Sequence, residues 1–104
     1  MFNGKENVET MKHLQNGEEC IVTGFGQSMT PRLASGQPVR CIPVDDTTEL
    51  NKKDIVFCKV NGHFYLHQIS AIRNKKSYQI SNNHGHVNGW VSRKCIYGKV
   101  VEIL

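Results

Sequence analysis

The chain has 104 residues and a formal net charge of +4, which allows a single domain with a modest core and excludes a second core. It has no apolar run long enough to span a bilayer, and the polar residues 1–9 are neither a secretory signal nor an anchor. We therefore expect a cytoplasmic protein. Lysine and arginine are scattered along the chain, and aromatic residues are not interleaved with them, so nucleic-acid binding ranks last among the functions considered.

The N-terminal part of the chain predicts one short helix. Residues 1–7 look loose, and Val8, Met11 and Leu14 then recur at helical spacing. We assign residues 1–18 to an N-terminal segment with this short helix, and residues 19–104 to a β domain.

From residue 19 onward, short apolar runs alternate with turn residues, which favours a mainly β fold. The predicted strands are residues 21–25, 39–44, 54–60, 63–69, 77–80 and 96–103. The expected architecture is a small, coiled, antiparallel β-sheet that resembles a barrel.

The clearest local prediction is a hairpin at Asn61-Gly62. Asn-Gly between two alternating runs favours a two-residue type I′ turn, which sets Val56 opposite His67. One face then predicts a core, because it carries Ile55, Phe57, Phe64 and Leu66. The other face mixes apolar and titratable side chains as the wall of a site would: Val56, Cys58, Val60, His63, Tyr65 and His67.

The cysteines predict no metal site. No Cys-x-x-Cys pair is present, so a zinc knuckle is disfavoured, and buried free thiols are the simplest interpretation of Cys20, Cys41, Cys58 and Cys95. A disulfide is the alternative if the protein lives outside the cytoplasm. His84 and His86 lie two apart on an Asn/Gly-rich stretch without a third ligand nearby, so we predict no metal and no cofactor.

A candidate nucleophile follows the first strand. The segment Gly-Gln-Ser-Met-Thr-Pro at residues 26–31 places Ser28 on a constrained turn, where its hydroxyl can face a ligand. The backbone N–H groups of Ser28 and its neighbour Met29 can point at a developing oxyanion. A turn serine that only satisfies local backbone groups is the alternative interpretation.

A serine hydroxyl needs a neighbouring base, and His67 is the best candidate. It lies near a strand end on the mixed face, and an imidazole titrates close to neutral pH. The hairpin register puts Lys59 on the opposite face, and His63, His84 and His86 are more remote alternatives. A strand histidine is more often structural than catalytic, so His67 alone carries little weight.

Taken together, four segments resemble the superfamily that joins type I signal peptidases to the self-cleaving, LexA-like SOS repressors. They occur in the family's order, cover about residues 21–104, and are residues 26–31, 50–56, 65–69 and 96–101. The resemblance implies that Ser28 is the nucleophile. The base in that superfamily is lysine in the bacterial and repressor branches and histidine in the endoplasmic-reticulum and archaeal-like signal peptidases, so His67 implies the Ser-His variant.

One departure from that pattern concerns the third residue. The Ser-His branch has an aspartate after the base, whereas residues 80–89 contain no carboxylate. Asn82, Asn83 or Asn88 are the candidates to orient the imidazole through an amide oxygen, which stabilises an imidazolium less than a carboxylate does. Slow chemistry or inactivity follows from this.

We therefore predict a soluble, stand-alone serine endopeptidase that uses a Ser-His dyad on an extended peptide or partner protein. The alternative is a catalytically weak or inactive module of the same fold, acting in binding, dimerisation or regulation. We expect a phage or mobile-element setting and no membrane partner, and the alternative function makes a homodimer plausible. Because the sequence leaves no room for a helix-turn-helix domain before Ser28, a full self-cleaving repressor is not expected.

Overall fold

A computed structural model of the chain describes residues 2–3 and 6–104. Within this described part, eight strands form one curled, half-barrel sheet in the order β1-β2-β3-β8-β4-β5-β6-β7. The elements are β1 (Phe2–Asn3), α1 (Asn7–Gln15), β2 (Cys20–Thr23), β3 (Pro38–Pro43), β4 (Ile55–Val60), β5 (His63–Arg73), β6 (Ser77–Ser81), β7 (Val87–Ser92), a short 3₁₀ helix (Arg93–Cys95) and β8 (Ile96–Ile103). The predicted mainly β fold with one short helix is confirmed.

The helix α1 packs against the sheet through Leu14, which is fully buried in the first of two core clusters. Glu6 caps its N-terminus by accepting hydrogen bonds from the N–H groups of Val8 and Glu9. The predicted helix is thus present, and it shares a core with β2, β3 and β4. The proposed division of the chain at residue 18 stays a prediction.

The predicted hairpin register is confirmed. Val56 pairs with His67, and Cys58 with Tyr65, in the antiparallel ladder between β4 and β5. At the turn, Asn61 and Gly62 have φ values of 50° and 84°, as a type I′ turn requires. His67 is thereby held at a fixed point of a paired strand.

The interpretation of the second hairpin face as the wall of a site is only partly right. Its apolar members Val56, Cys58 and Val60 are buried in a second core cluster, packed with Ile80 of β6 and Val91 of β7. These side chains are buried because the sheet is curled and the side chains of β6 and β7 pack against that face of β4. The site takes only Tyr65 and His67 from this face.

The sequence prediction missed two strands. β7 pairs antiparallel with β6, and the short β1, within residues expected to be loose, pairs in parallel with β2. Met1, Gly4 and Lys5, which were also expected to be loose, lie outside the described residues. The β5 strand also runs on to Arg73, beyond the predicted end at residue 69.

All four cysteines are free thiols, and Cys20, Cys41 and Cys58 are buried, as expected. Cys95 is only half-buried. Burial raises the pKa of Cys41 and of Cys58 to about 12, so neither thiol ionises near neutral pH. Among the described residues, no helix is long and apolar enough to cross a membrane.

Candidate active site

A cavity of about 650 Å³ opens between the end of β2 and the strand β5. Its polar lining residues include Ser28, His67 and Asn88, and further Asn7, Thr23, Gln37, Tyr65 and His86. Apolar side chains form another part of the wall: Val22, Phe25, Met29, Leu33, Ala34, Phe57, Phe64 and Leu66. The described residues that line the cavity include no aspartate, glutamate, lysine or arginine, so the site carries no fixed charge.

Ser28 lies in a tight turn beyond the end of β2. The N–H of Thr30 donates to the carbonyl of Gln27 at 3.2 Å, and the N–H of Leu33 donates to the carbonyl of Met29 at 2.9 Å. The Met29 side chain is buried in the first core cluster and thereby attaches the turn to the core. Ser28 itself stays half-buried at the cavity surface, where its hydroxyl is accessible.

The Ser28 hydroxyl lies beside the imidazole of His67. The distance from Ser28 Oγ to His67 Nε2 is 3.2 Å, which is within hydrogen-bond reach. His67 is only 7% exposed, and its ring packs against Tyr65 with a centroid separation of 4.8 Å. Burial lowers the pKa of His67, the hydrogen bond with Asn88 opposes this, and the nearby His86 adds to the lowering.

Asn88 contacts the other ring nitrogen of His67, with 2.7 Å between Nδ1 and Oδ1. Because an amide oxygen only accepts, Nδ1 carries the hydrogen and Nε2 keeps a lone pair facing Ser28. A β-bulge places Asn88 here: Ile80 pairs with Gly89 and Ser81 with Val87, so Asn88 is the unpaired residue. Gly89 has a φ of 147°, a left-handed conformation that favours glycine.

The other two candidate orienting residues do not reach His67. Asn82 Oδ1 accepts from the N–H groups of His84 and His86, and Asn83 contacts the turn that carries Ser28. The structure therefore brings Ser28, His67 and Asn88 together and places Asn82 and Asn83 in the β6–β7 connection.

Of the alternative bases, His86 lines the cavity, whereas Lys59 and His84 contact other groups. Lys59 points away from His67, with its ammonium 5.2 Å from the centre of the Phe64 ring. His84 Nε2 is hydrogen-bonded to the carbonyl oxygen of Gln27, at a distance of 2.9 Å. In the described part of the chain, no group of three or more His, Cys, Asp and Glu side chains could hold a metal ion.

Sequence reasoning missed two parts of the site. Phe25 lines the cavity although it is 81% exposed, and a large aromatic residue flanked by glycines just after a strand is a signal that could have found it. The contacts of Asn83 and His84 with the serine turn have no local signal, because more than fifty residues separate the partners.

The curled β-sheet is that of a peptidase-fold module, as the match to a peptidase family supports. The chain belongs to the Peptidase S24-like family, whose model matches residues 3–101. This confirms the resemblance to the superfamily of LexA-like repressors and signal peptidases, while the assignment to a Ser-His variant stays a prediction. No match was found among curated proteins.

Proposed function

We propose that the protein is a serine endopeptidase in which Ser28 is the nucleophile, His67 the general base and Asn88 the residue that orients the base. The observation that carries the proposal is the line of contacts from Ser28 Oγ to His67 Nε2 at 3.2 Å and from His67 Nδ1 to Asn88 Oδ1 at 2.7 Å. A nucleophile, a base and an orienting group in hydrogen-bond sequence are the working parts of nucleophilic acyl transfer.

In the proposed reaction, Ser28 Oγ bonds to the carbonyl carbon of the scissile peptide while its proton passes to His67 Nε2. The carbonyl oxygen becomes an oxyanion, which the backbone N–H groups of Ser28 and Met29 stabilise. The carbon–nitrogen bond then breaks as His67 returns the proton to the leaving amine. Water, activated by the same imidazole, hydrolyses the acyl-serine and restores the hydroxyl.

The cavity favours an uncharged, extended peptide as the substrate. Its wall mixes apolar side chains with neutral polar ones and carries no fixed charge, so a charged side chain would lose hydration without gaining a charged partner. Backbone groups of the substrate can pair along a strand edge, which gives affinity independent of sequence. The substrate is therefore expected to present uncharged residues beside the cleaved bond.

The test is hydrolysis of a peptide library, together with labelling by a fluorophosphonate probe, for the wild type and for Ser28→Ala and His67→Ala. We expect both variants to lose peptide cleavage by at least about 1,000-fold, because nucleophile and base act as a unit. Ser70→Ala is the matched serine control, since Ser70 lies on β5 away from the cavity and should leave both readouts unchanged. Cleavage that persists in Ser28→Ala would end the proposal.

A second candidate is a module of the same fold that binds or dimerises without turnover. The amide of Asn88, in place of a carboxylate, favours it, because an amide stabilises the imidazolium of His67 less. The exposed apolar side chains near the end of β8 offer a surface for a second copy: Val101, Ile103 and Leu104. This candidate predicts a homodimer by light scattering and a Ser28 that the probe does not label.

The setting of the protein also remains our proposal. Free thiols at all four cysteines are compatible with a cytoplasmic location, where disulfides are rare. Together with the cytoplasmic location, we propose an origin in a phage or mobile element.

A further inference from the structure

The connection between β6 and β7 lies directly against the turn that carries Ser28. The backbone N–H of Asn83 donates to the carbonyl of Ser28 at 2.8 Å, and its side-chain amide donates to the carbonyl of Thr30 at 2.9 Å. One residue therefore binds the turn at two points, one on each side of Met29. Ser28 lies between β2 and β3 and belongs to neither strand, so it has no strand pairing to position it. The two hydrogen bonds from Asn83 help to position it instead.

His84 extends the same contact. Its Nε2 atom lies 2.9 Å from the carbonyl oxygen of Gln27 and 3.1 Å from Thr30 Oγ1. The connection is itself rigid, because Asn82 Oδ1 accepts from the N–H groups of His84 and His86 and the Asn82 N–H donates to the carbonyl of His86. Because these hydrogen bonds join residues within the connection, it can hold the neighbouring serine turn in position.

The same piece of chain also reaches the base. Beyond His86 it enters β7, and the bulged Asn88 contacts His67 Nδ1. Residues 82–88, which we call the brace, thus contact the serine turn at one end and the imidazole at the other. One segment therefore contacts both partners of the Ser28 Oγ–His67 Nε2 pair.

We propose that Asn83 is a positioning residue of this site, which holds the serine turn at the distance from His67 that lets the hydroxyl donate to Nε2. The inference rests on the proposed function, because it assigns Asn83 to the same Ser28–His67 pair. Removing the amide leaves the Thr30 carbonyl to water and frees that side of the turn. A displacement of about 1 Å at a reacting group can lower the rate about 100-fold.

The experiment measures the Ser28–His67 hydrogen bond directly, by the ¹⁵N chemical shift of His67 Nε2 in the neutral imidazole. The difference between the wild type and Ser28→Ala defines the contribution of that bond to the shift. We expect Asn83→Ala to lose most of this difference, and His84→Ala, at an exposed residue whose loss the fold tolerates, to lose a smaller part. Ser70→Ala, which removes a side-chain hydrogen bond between β5 and β6, should keep the full difference.

Kinetics supply the second measurement. Asn83→Ala should lower kcat about 100-fold with KM nearly unchanged, because Asn83 does not line the cavity that takes the substrate. Its thermal unfolding should stay close to that of Ser70→Ala, whereas a purely structural role would lower the unfolding temperature and leave kcat per folded molecule intact.

The outcomes separate the two proposals. Wild-type and Ser28→Ala proteins with the same Nε2 shift would show that the Ser28–His67 bond is absent, and the proposed function and this inference would both fail. A clear difference that persists in full in Asn83→Ala and His84→Ala would overturn the inference and leave the proposed function standing. Loss of the difference in Asn83→Ala, with its retention in Ser70→Ala, supports the positioning role.

Discussion

The β4–β5 hairpin and the turn that carries Ser28 hold their side chains by different means. His67 lies in a strand paired residue by residue with β4, and the Asn61-Gly62 turn fixes that register locally. Ser28 lies beyond the end of β2, in a turn that is held by the buried Met29 side chain and by hydrogen bonds with Asn83 and His84. The base is therefore positioned by local pairing, and the nucleophile by contacts between distant parts of the sequence.

This difference separates two kinds of sensitivity. A strand in the middle of a sheet shares its position over many hydrogen bonds, so the loss of one side chain moves it little. A turn held by a few bonds moves when one of them is removed. Substitutions in the brace should therefore change the rate more than the free energy of unfolding, and substitutions in the hairpin should do the reverse.

Outside the Ser28–His67 pair itself, the largest effect is expected at Asn88, where the brace meets the hairpin. Asn88→Ala removes the acceptor of the Nδ1 hydrogen, so the imidazole loses its orientation and its preferred tautomer, and kcat/KM should fall about 100-fold or more. Asn88→Asp keeps the acceptor and adds a charge that stabilises the imidazolium, so it should be at least as active as the wild type.

The pH profile sharpens this test. Burial lowers the pKa of His67, and the base must be neutral to accept a proton, so the acidic limb of kcat/KM in the wild type should lie below the ordinary histidine value of about 6.5. Asn88→Asp raises that pKa and should move the limb to higher pH. Asn74→Asp adds the same charge on an exposed turn and should leave the limb unchanged. Identical profiles for wild type and Asn88→Asp would contradict the role of Asn88.

The hairpin gives the second prediction, on stability. Gly62 has a φ of 84° and open space around it, so Gly62→Ala adds only the cost of a left-handed alanine, about 1 to 2 kcal/mol in the free energy of unfolding. Denaturant unfolding measures this cost, and kcat per folded molecule should not change, because the pairs flanking His67 remain. Lys76→Ala, in the exposed β5–β6 turn, should change the free energy by less than about 0.5 kcal/mol. A large loss of kcat in Gly62→Ala would mean that the turn also positions the base.

The same contrast explains how much of the site could be predicted from the sequence. The register of His67 depends on a turn within the hairpin, so the Asn-Gly pair was enough to predict it. Asn88, rather than Asn82 or Asn83, contacts His67 because of a bulge opposite Ile80 and Ser81. The residues around that bulge are polar, so they gave no apolar pattern from which the strand β7 could be predicted. The bonds from Asn83 to the serine turn join residues far apart in sequence, where no local pattern reports them.

The smallest effect is expected at Phe25, on the rim of the cavity beside the serine turn. Its side chain is 81% exposed and contributes little to folding, so an apolar substrate residue is the contact that would bury it. Burial of part of an aromatic side chain contributes about 1 kcal/mol, so Phe25→Ala should raise KM about fivefold with kcat and unfolding temperature unchanged. Trp90→Ala, at an exposed aromatic outside the cavity, is the matched control and should leave KM unchanged. A KM that is the same in Phe25→Ala and Trp90→Ala would place the substrate away from this rim, and the serine turn would then supply only the nucleophile and its oxyanion donors.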